Sequence, residues 1–205
     1  MWRCPLRRYR IGEANMRVLV ACEFSGIVRE AFKARGHDAW SCDLLPTEIP
    51  GNHIQGDILE ILEFGWDLMI AHPPCTYLCR NRARQNKLEN REVDISNARG
   101  FFMGLFHAHI GKICVENPIP SKEAQLPKYS QIIQPWYFGH DYSKKTCLWL
   151  KNLPPLMATQ MVKITHIITP GGHKYTRGWY KMPRTTVARS RTFTGIAKAM
   201  AEQWG

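Results

Sequence analysis

A chain of 205 residues with 44% apolar side chains has the length of one domain and too much apolar content to stay disordered. Seven cysteines, an odd number, fit no disulfide framework; no apolar run approaches the ~20 residues of a membrane span; and the basic opening stretch lacks the apolar stretch of a secretory signal, so a cytoplasmic protein is expected. Residues 1–100 carry 14 Lys+Arg against 13 Asp+Glu, whereas residues 101–205 carry 14 against 4, so a net charge of +10 in the second half is suited to a polyanion, nucleic acid first.

Residues 1–15 show no periodicity and read as a dispensable basic arm. Met16 to Cys22 is a buried strand. Gly26 to Arg35 reads as an amphipathic helix, with Ile27, Ala31 and Ala34 beside Val28 and Phe32 on the apolar face, and Gly36 as its stop. Ala39 to Cys42 is a second strand ending in Asp43. Gly56-Asp57-Ile58 opens a short helix, and Asp67 to Ala71 is a third strand. Residues 80–94 are polar and read as a loop or exposed segment, after which Ser96 caps a helix through about His109. Lys112 to Val115 is a strand ending at Glu116-Asn117-Pro118. Thr146 to Leu150 is another, residues 152–190 are irregular and rich in Pro, Gly, Lys and Arg, and Ile196 to Trp204 closes the chain as a helix with Ile196, Met200 and Trp204 on one face.

Strands alternating with helices predict an α/β fold with a parallel sheet whose ligands bind at the carboxyl ends of the strands. The residues of interest are therefore those that follow the strands. A strand, the Gly26 turn and a helix form a common nucleotide-binding start, and Asp43 is placed to accept hydrogen bonds from ribose hydroxyls; an ordinary turn with a surface aspartate is an equal reading. Neither G-x-G-x-x-G nor a P-loop sequence is present, which disfavours a dinucleotide and P-loop chemistry.

In His72-Pro73-Pro74-Cys75 two prolines fix the backbone after a buried strand, so Cys75 is either a packed thiol or a nucleophile. Arg80, Arg82, Arg84 and a helix N-terminus near it favour the reactive thiolate. Glu116 follows a buried strand, where an apolar setting raises a carboxyl pKa and suits a group that gives and takes a proton; a structural capping carboxylate is the alternative. His72, Cys75 and Cys79 have the wrong spacing for zinc and no second ligand pair, so no metal is expected.

Taken together, Glu23-Phe24-Ser25-Gly26, Asp43, Gly56-Asp57-Ile58, Pro73-Pro74-Cys75 and Glu116-Asn117 resemble, in order and rough spacing, the motifs of DNA cytosine-5 methyltransferases, in particular a short, phage-type branch. The resemblance covers about residues 16–150, with a weaker match at 189–193 and the closing helix. It implies a Rossmann-like, doubly wound, mostly parallel sheet of the class I S-adenosylmethionine-dependent methyltransferase type. It also implies a catalytic domain at 16–150, a reduced basic recognition region at 151–188 and a C-terminal helix at 189–205 packing back on the catalytic domain.

By that resemblance Phe24, Ser25, Gly26, Ile58 and Pro73 border S-adenosylmethionine, Asp43 holds its ribose and Asp57 meets its adenine. Cys75, positioned by Pro74, attacks C6 of a cytosine flipped out of double-stranded DNA, Glu116 protonates or hydrogen-bonds N3, and Asn117 shapes the pocket. Lys144 and Lys145 fall where the family has a basic motif. Lys163, Lys174, Arg177, Lys181 and Arg184 of the short region, with Arg80, Arg82, Arg84, Lys144, Lys145, Arg189 and Arg191, are the candidates for DNA contact, and Trp136, Tyr137 and Trp179 for stacking. So short a region predicts relaxed sequence specificity. Val28 stands where the family has a second glycine, His72 where it has the glycine before Pro-Pro-Cys, and Pro118 where it has an aliphatic residue. The rival readings are a non-catalytic DNA-binding relative, and an enzyme that transfers another group or acts on a nucleotide.

Overall fold

Val18 to Ala21 and Leu68 to Ala71 are withdrawn from solvent along their whole length, as strands covered on both faces must be. They form the centre of the sheet in the computed structural model, which describes residues 15–183 and 185–205. The N-terminal arm up to residue 14 and Arg184 lie outside the described residues.

In chain order the elements are β1 (Arg17–Ala21), α1 (Ile27–Ala34), β2 (Asp38–Asp43), β3 (His53–Gln55), β4 (Leu68–Ala71), α2 (Ala83–Leu88), α3 (Glu92–Phe106), β5 (Lys112–Pro118), β6 (Gln131–Ile133), β7 (Thr146–Lys151), β8 (His166–Ile168), β9 (Lys174–Thr176), α4 (Arg177–Lys181), α5 (Thr186–Ser190) and α6 (Thr194–Trp204). Seven strands form one sheet in the order β3-β2-β1-β4-β5-β7-β6. β1 to β5 run parallel, and β7 runs antiparallel between β5 and β6. The fold is thus α/β, a mostly parallel, doubly wound sheet. The strand order turns back between β1 and β4, and a ligand crevice belongs at the carboxyl ends of those two strands.

Alternation along the strands splits the core in two. Val18, Val20, Leu68, Ile70, Cys114 and Leu148 face α1 and α6, where Val28, Phe32, Ile196, Met200 and Trp204 cover them. Leu19, Met69, Ile113, Val115 and Trp149 face the other way, under Phe102 and Leu105 of α3 and under Ile58, Ile61 and Trp66. The start of α6 lies directly on the neighbouring chain: a Cβ on Gly195 would stand 1.9 Å from the Phe138 carbonyl oxygen.

Several expectations are corrected. On α1 the buried residues are Val28, Arg29 and Phe32, while Ala34 is exposed. Residues 80–94 are largely exposed, as expected, but they are not a loop: they form a 3-10 turn at Arg80–Arg82, then α2 and the start of α3. The side-chain amide of Asn86, buried on α2, donates to the Thr76 carbonyl at 3.3 Å and anchors this otherwise polar stretch. α3 begins at Glu92, so Ser96 sits inside it rather than at its cap. Glu92 and Asp94 in its first turn suit the positive end of the helix dipole. The helix ends at Phe106, short of His109. The three-residue strands β3 and β6, and the β8–β9 hairpin, α4 and α5 in the stretch read as irregular, were not predicted.

Candidate active site

Two groups of residues meet the carboxyl edge of the sheet. The first is built around the β1–α1 turn. Past Ala21 the chain enters a left-handed turn at Cys22 (φ 57°), a conformation uncommon outside glycine and often found at working sites. The Glu23 carboxylate, 4% exposed, accepts hydrogen bonds from the Val28 and Arg29 amides at 2.7 and 3.2 Å and from the Ser25 hydroxyl at 3.0 Å. It thereby caps α1, whose N-cap residue Gly26 has φ 74°. The Ser25 side chain is turned inward to Glu23, Phe24 is half-buried, and Ile58 is packed in the core.

Asp43 at the end of β2 accepts from the Leu45 amide at 2.9 Å, and Asp57 after β3 accepts from Leu59 at 3.0 Å. Burial and the charges of Asp43, Cys42 and Asp57 push the Cys22 thiol up to about 12. The two carboxylates and the β1 turn therefore share one corner of the edge. Below it the fully buried Arg29 guanidinium donates to Ser41 Oγ at 3.0 Å, Thr47 Oγ1 at 3.2 Å and the Ile49 carbonyl at 2.5 Å, and pairs with Glu30 at 2.9 Å. Glu23's capping role and Arg29's anchoring role were both missed from the sequence. An acidic residue just ahead of a glycine-headed helix was the available signal for Glu23; Arg29 gave none.

The second group lies at the ends of β4 and β5. The His72 amide still bonds to the Ala21 carbonyl at 2.9 Å; buried Pro73 and exposed Pro74 then lead to a half-buried Cys75. The Cys75 carbonyl accepts from the amides of Leu78 and Cys79 at 3.1 and 3.0 Å, closing a turn that brings the two thiols together. Contact with Cys79, burial and the Glu116 charge raise the Cys75 pKa, against a smaller opposing effect of Lys144. The Cys79 thiol is pulled down, by Cys75 and by the backbone amides of Arg82, Asn81 and Cys79 itself. The N-terminal amides expected to favour a Cys75 thiolate thus favour one on Cys79.

Glu116 and Asn117 lie within β5, opposite Leu148 and Cys147 of β7. Their side chains leave opposite faces of the sheet: Glu116 on the α1/α6 side, Asn117 fully buried on the α3 side with its amide donating to the Pro118 carbonyl at 2.6 Å. The Glu116 carboxylate accepts from His72 Nδ1 at 3.0 Å. Burial pushes its pKa up, but the His72 hydrogen bond and the positive charge of Lys144 outweigh that and leave it below the ordinary value. The raised carboxyl pKa expected from the sequence is therefore corrected.

His72, Glu116, Ile133, Lys144 and Thr146 line a small pocket together with residues 190–193, Ile196 and Met200. Cys75 interacts electrostatically with Glu116 but is not in this pocket's lining.

The basic residues divide by what they do. Arg80, Arg82, Arg84, Lys145, Lys163, Lys174, Arg177 and Lys181 are exposed. The other three have partners within the chain: Lys144 donates to the Arg189 carbonyl at 3.1 Å, the Arg189 guanidinium lies 4.5 Å from the centre of the Trp179 ring, and Arg191 makes two bonds to Glu48, at 2.8 and 2.6 Å. Trp136 packs against Tyr137, their ring centres 4.3 Å apart, and Trp179 is 37% exposed.

The fold and the place of this site belong to the class of doubly wound α/β proteins with a crevice where the strand order reverses. No protein-family model matches the chain, and no curated protein matches it in sequence. Among solved structures it is similar in fold to a prophage-encoded E. coli protein described as a DNA modification methyltransferase, at 16% identity and a TM-score of 0.45, over 73% of this chain and 53% of that one. It is similar also to the Entamoeba histolytica methyltransferase EhMeth, at 14% identity and a TM-score of 0.47, over 73% and 58%. The chain thus spans little more than half the length of either structure.

Proposed function

We propose that the chain transfers a methyl group from S-adenosylmethionine to C5 of cytosine in DNA. The observation that carries this reading is the nearness of a thiol and a carboxylate: Cys75, in the turn after β4, feels the charge of Glu116 on the neighbouring strand β5. S-adenosylmethionine, when bound, supplies a methyl group on a cationic sulfur. The β1 corner fits it, because Asp43 and Asp57 offer carboxylate oxygens to ribose hydroxyls and an adenine amino group, with Phe24, Gly26 and Pro73 at its border.

The Cys75 thiol gives up its proton to solvent as its sulfur adds to C6 of the flipped base. Ring N3 becomes more basic as C6 saturates and takes up a proton from solvent, which the ionised Glu116 holds there. C5 then carries enough electron density to take the methyl group; loss of the C5 proton to solvent restores the C5–C6 double bond and expels Cys75, after which N3 releases its proton and the Cys75 thiolate regains one. The exposed cations of the second half supply phosphate contacts, and so short a basic region supports low sequence specificity.

Incubation with cofactor and double-stranded DNA, digestion to nucleosides and mass spectrometry tests the proposal. We expect 5-methylcytosine from the wild type and none from Cys75→Ala; an unmodified wild-type digest overturns it. The raised Cys75 pKa favours one second reading, a non-catalytic DNA-binding relative, which predicts salt-sensitive DNA binding with no product.

A further inference from the structure

His72 is a buried polar residue that the proposed reaction leaves without a task. Its side chain is 9% exposed. Nδ1 is 3.0 Å from Glu116 Oε2, and an ionised carboxylate can only accept, so the proton of that bond sits on Nδ1. The buried Nε2 atom has no hydrogen-bond partner among the described residues, although buried polar atoms are nearly always paired, and His72 lines the pocket beside Glu116. A residue that only filled space would not need an imidazole with one nitrogen engaged by a carboxylate and the other left unpaired.

We propose that His72 is a positioning residue: it occupies Oε2 of Glu116 and leaves Oε1 as the oxygen that meets the substrate. Only the identification of that substrate as a pyrimidine base rests on the methyltransferase reading.

Glu116 is met by His72 from the end of β4 and by Lys144 from the segment before β7; its own charge in turn reaches the thiols of Cys75 in the turn after β4, Cys114 on β5 and Cys147 on β7, and Arg191 lines the same pocket. Burial acts against ionisation, and His72 supplies the hydrogen bond that counters it. Without His72 only the charge of Lys144 remains on that side of the balance.

The test is a carbon-13 NMR titration of the Glu116 carboxyl in the full chain. In His72→Ala it should titrate at higher pH than in the wild type. In His72→Asn, whose amide nitrogen reaches about the position of Nδ1, the wild-type value should largely return. In the methyl-transfer assay His72→Ala should lower kcat by about 10- to 100-fold, the range over which loss of an orienting partner acts, with KM for the cofactor little changed and the acid limb of the pH profile moved upward. Glu116 titrating at the same pH in wild type and His72→Ala overturns the proposal.

Should neither variant fold, the nitrogen-15 spectrum of the wild-type imidazole decides: a proton on Nδ1 and a bare Nε2 supports it, and the opposite tautomer overturns it. A wild type that makes no 5-methylcytosine would end the methyltransferase reading, while the titration still judges His72.

Discussion

The Cys75 thiol is held up first by Cys79, then by burial and by the nearby Glu116 charge. Cys79→Ala removes the largest of these causes, so Cys75 should become a thiolate, and react with iodoacetamide, at lower pH than in the wild type. Peptide mass spectrometry of the alkylated Cys75 across a pH series measures this, and an unchanged or higher onset would show that the pair does not share a proton. The same residues show how far sequence reads at this scale. The order of Pro-Pro-Cys and Glu-Asn located the two strand ends because chain order and strand alternation are local properties. The protonation of Cys75 and Glu116 was not legible, because Cys79, His72 and Lys144 reach them only through the fold. Asn117 illustrates the same limit: once β5 continues through Pro118, adjacent residues must face opposite ways.

Among the elements, α1 depends on its start. Glu23 satisfies two of the amides that a helix leaves open at its N-terminus. Glu23→Ala should lower unfolding stability by about 1–2 kcal/mol, and Glu23→Gln, which keeps an acceptor, by less; urea denaturation measures both. Gly26 has φ 74°, and a Cβ there would come within 2.7 Å of Arg29 Nη2. Gly26→Ala should cost about 1–2 kcal/mol from backbone conformation alone, with a further loss from displacing the guanidinium. The alternation of apolar strands and helices made β1, β2, β4, β5, β7, α1 and α6 readable. Segments whose order comes from distant partners were not readable: Arg29 bonds to Ser41, Thr47 and Ile49, 12 to 20 residues away, and α2 hangs on Asn86.

For the whole molecule, the excess positive charge lies in a half that contributes β5 to β7 and the basic region after them, so any polyanion should be met mainly from that side. If Lys163, Lys174, Arg177 and Lys181 each neutralise a phosphate, replacing one by alanine should reduce the slope of log K against log salt by about 1, which DNA binding at graded salt measures. Arg191 acts differently, since its bonds to Glu48 fasten the segment before α6 to the loop after β2. Its guanidinium holds the Glu48 carboxyl below the usual value. A depressed folded pKa means that the link is complete above the ordinary carboxylate pKa of about 4.3 and is lost as pH falls through the folded value. The protection of amides at residues 190–193 against hydrogen exchange, relative to their intrinsic rates, should therefore fall on acidification below the ordinary carboxylate range, and in Arg191→Ala it should already be low at neutral pH.

The side chain that closes the head of α1 also restricts which molecules may rest there. In many nucleotide-binding proteins the free amides at such a helix start cradle a pyrophosphate. Here Glu23 has filled that cradle from within, and an incoming phosphate would meet a negative charge instead of open N–H groups. A triphosphate or a dinucleotide should therefore be disfavoured at that turn, whereas a ligand that brings no negative charge to it meets no such repulsion.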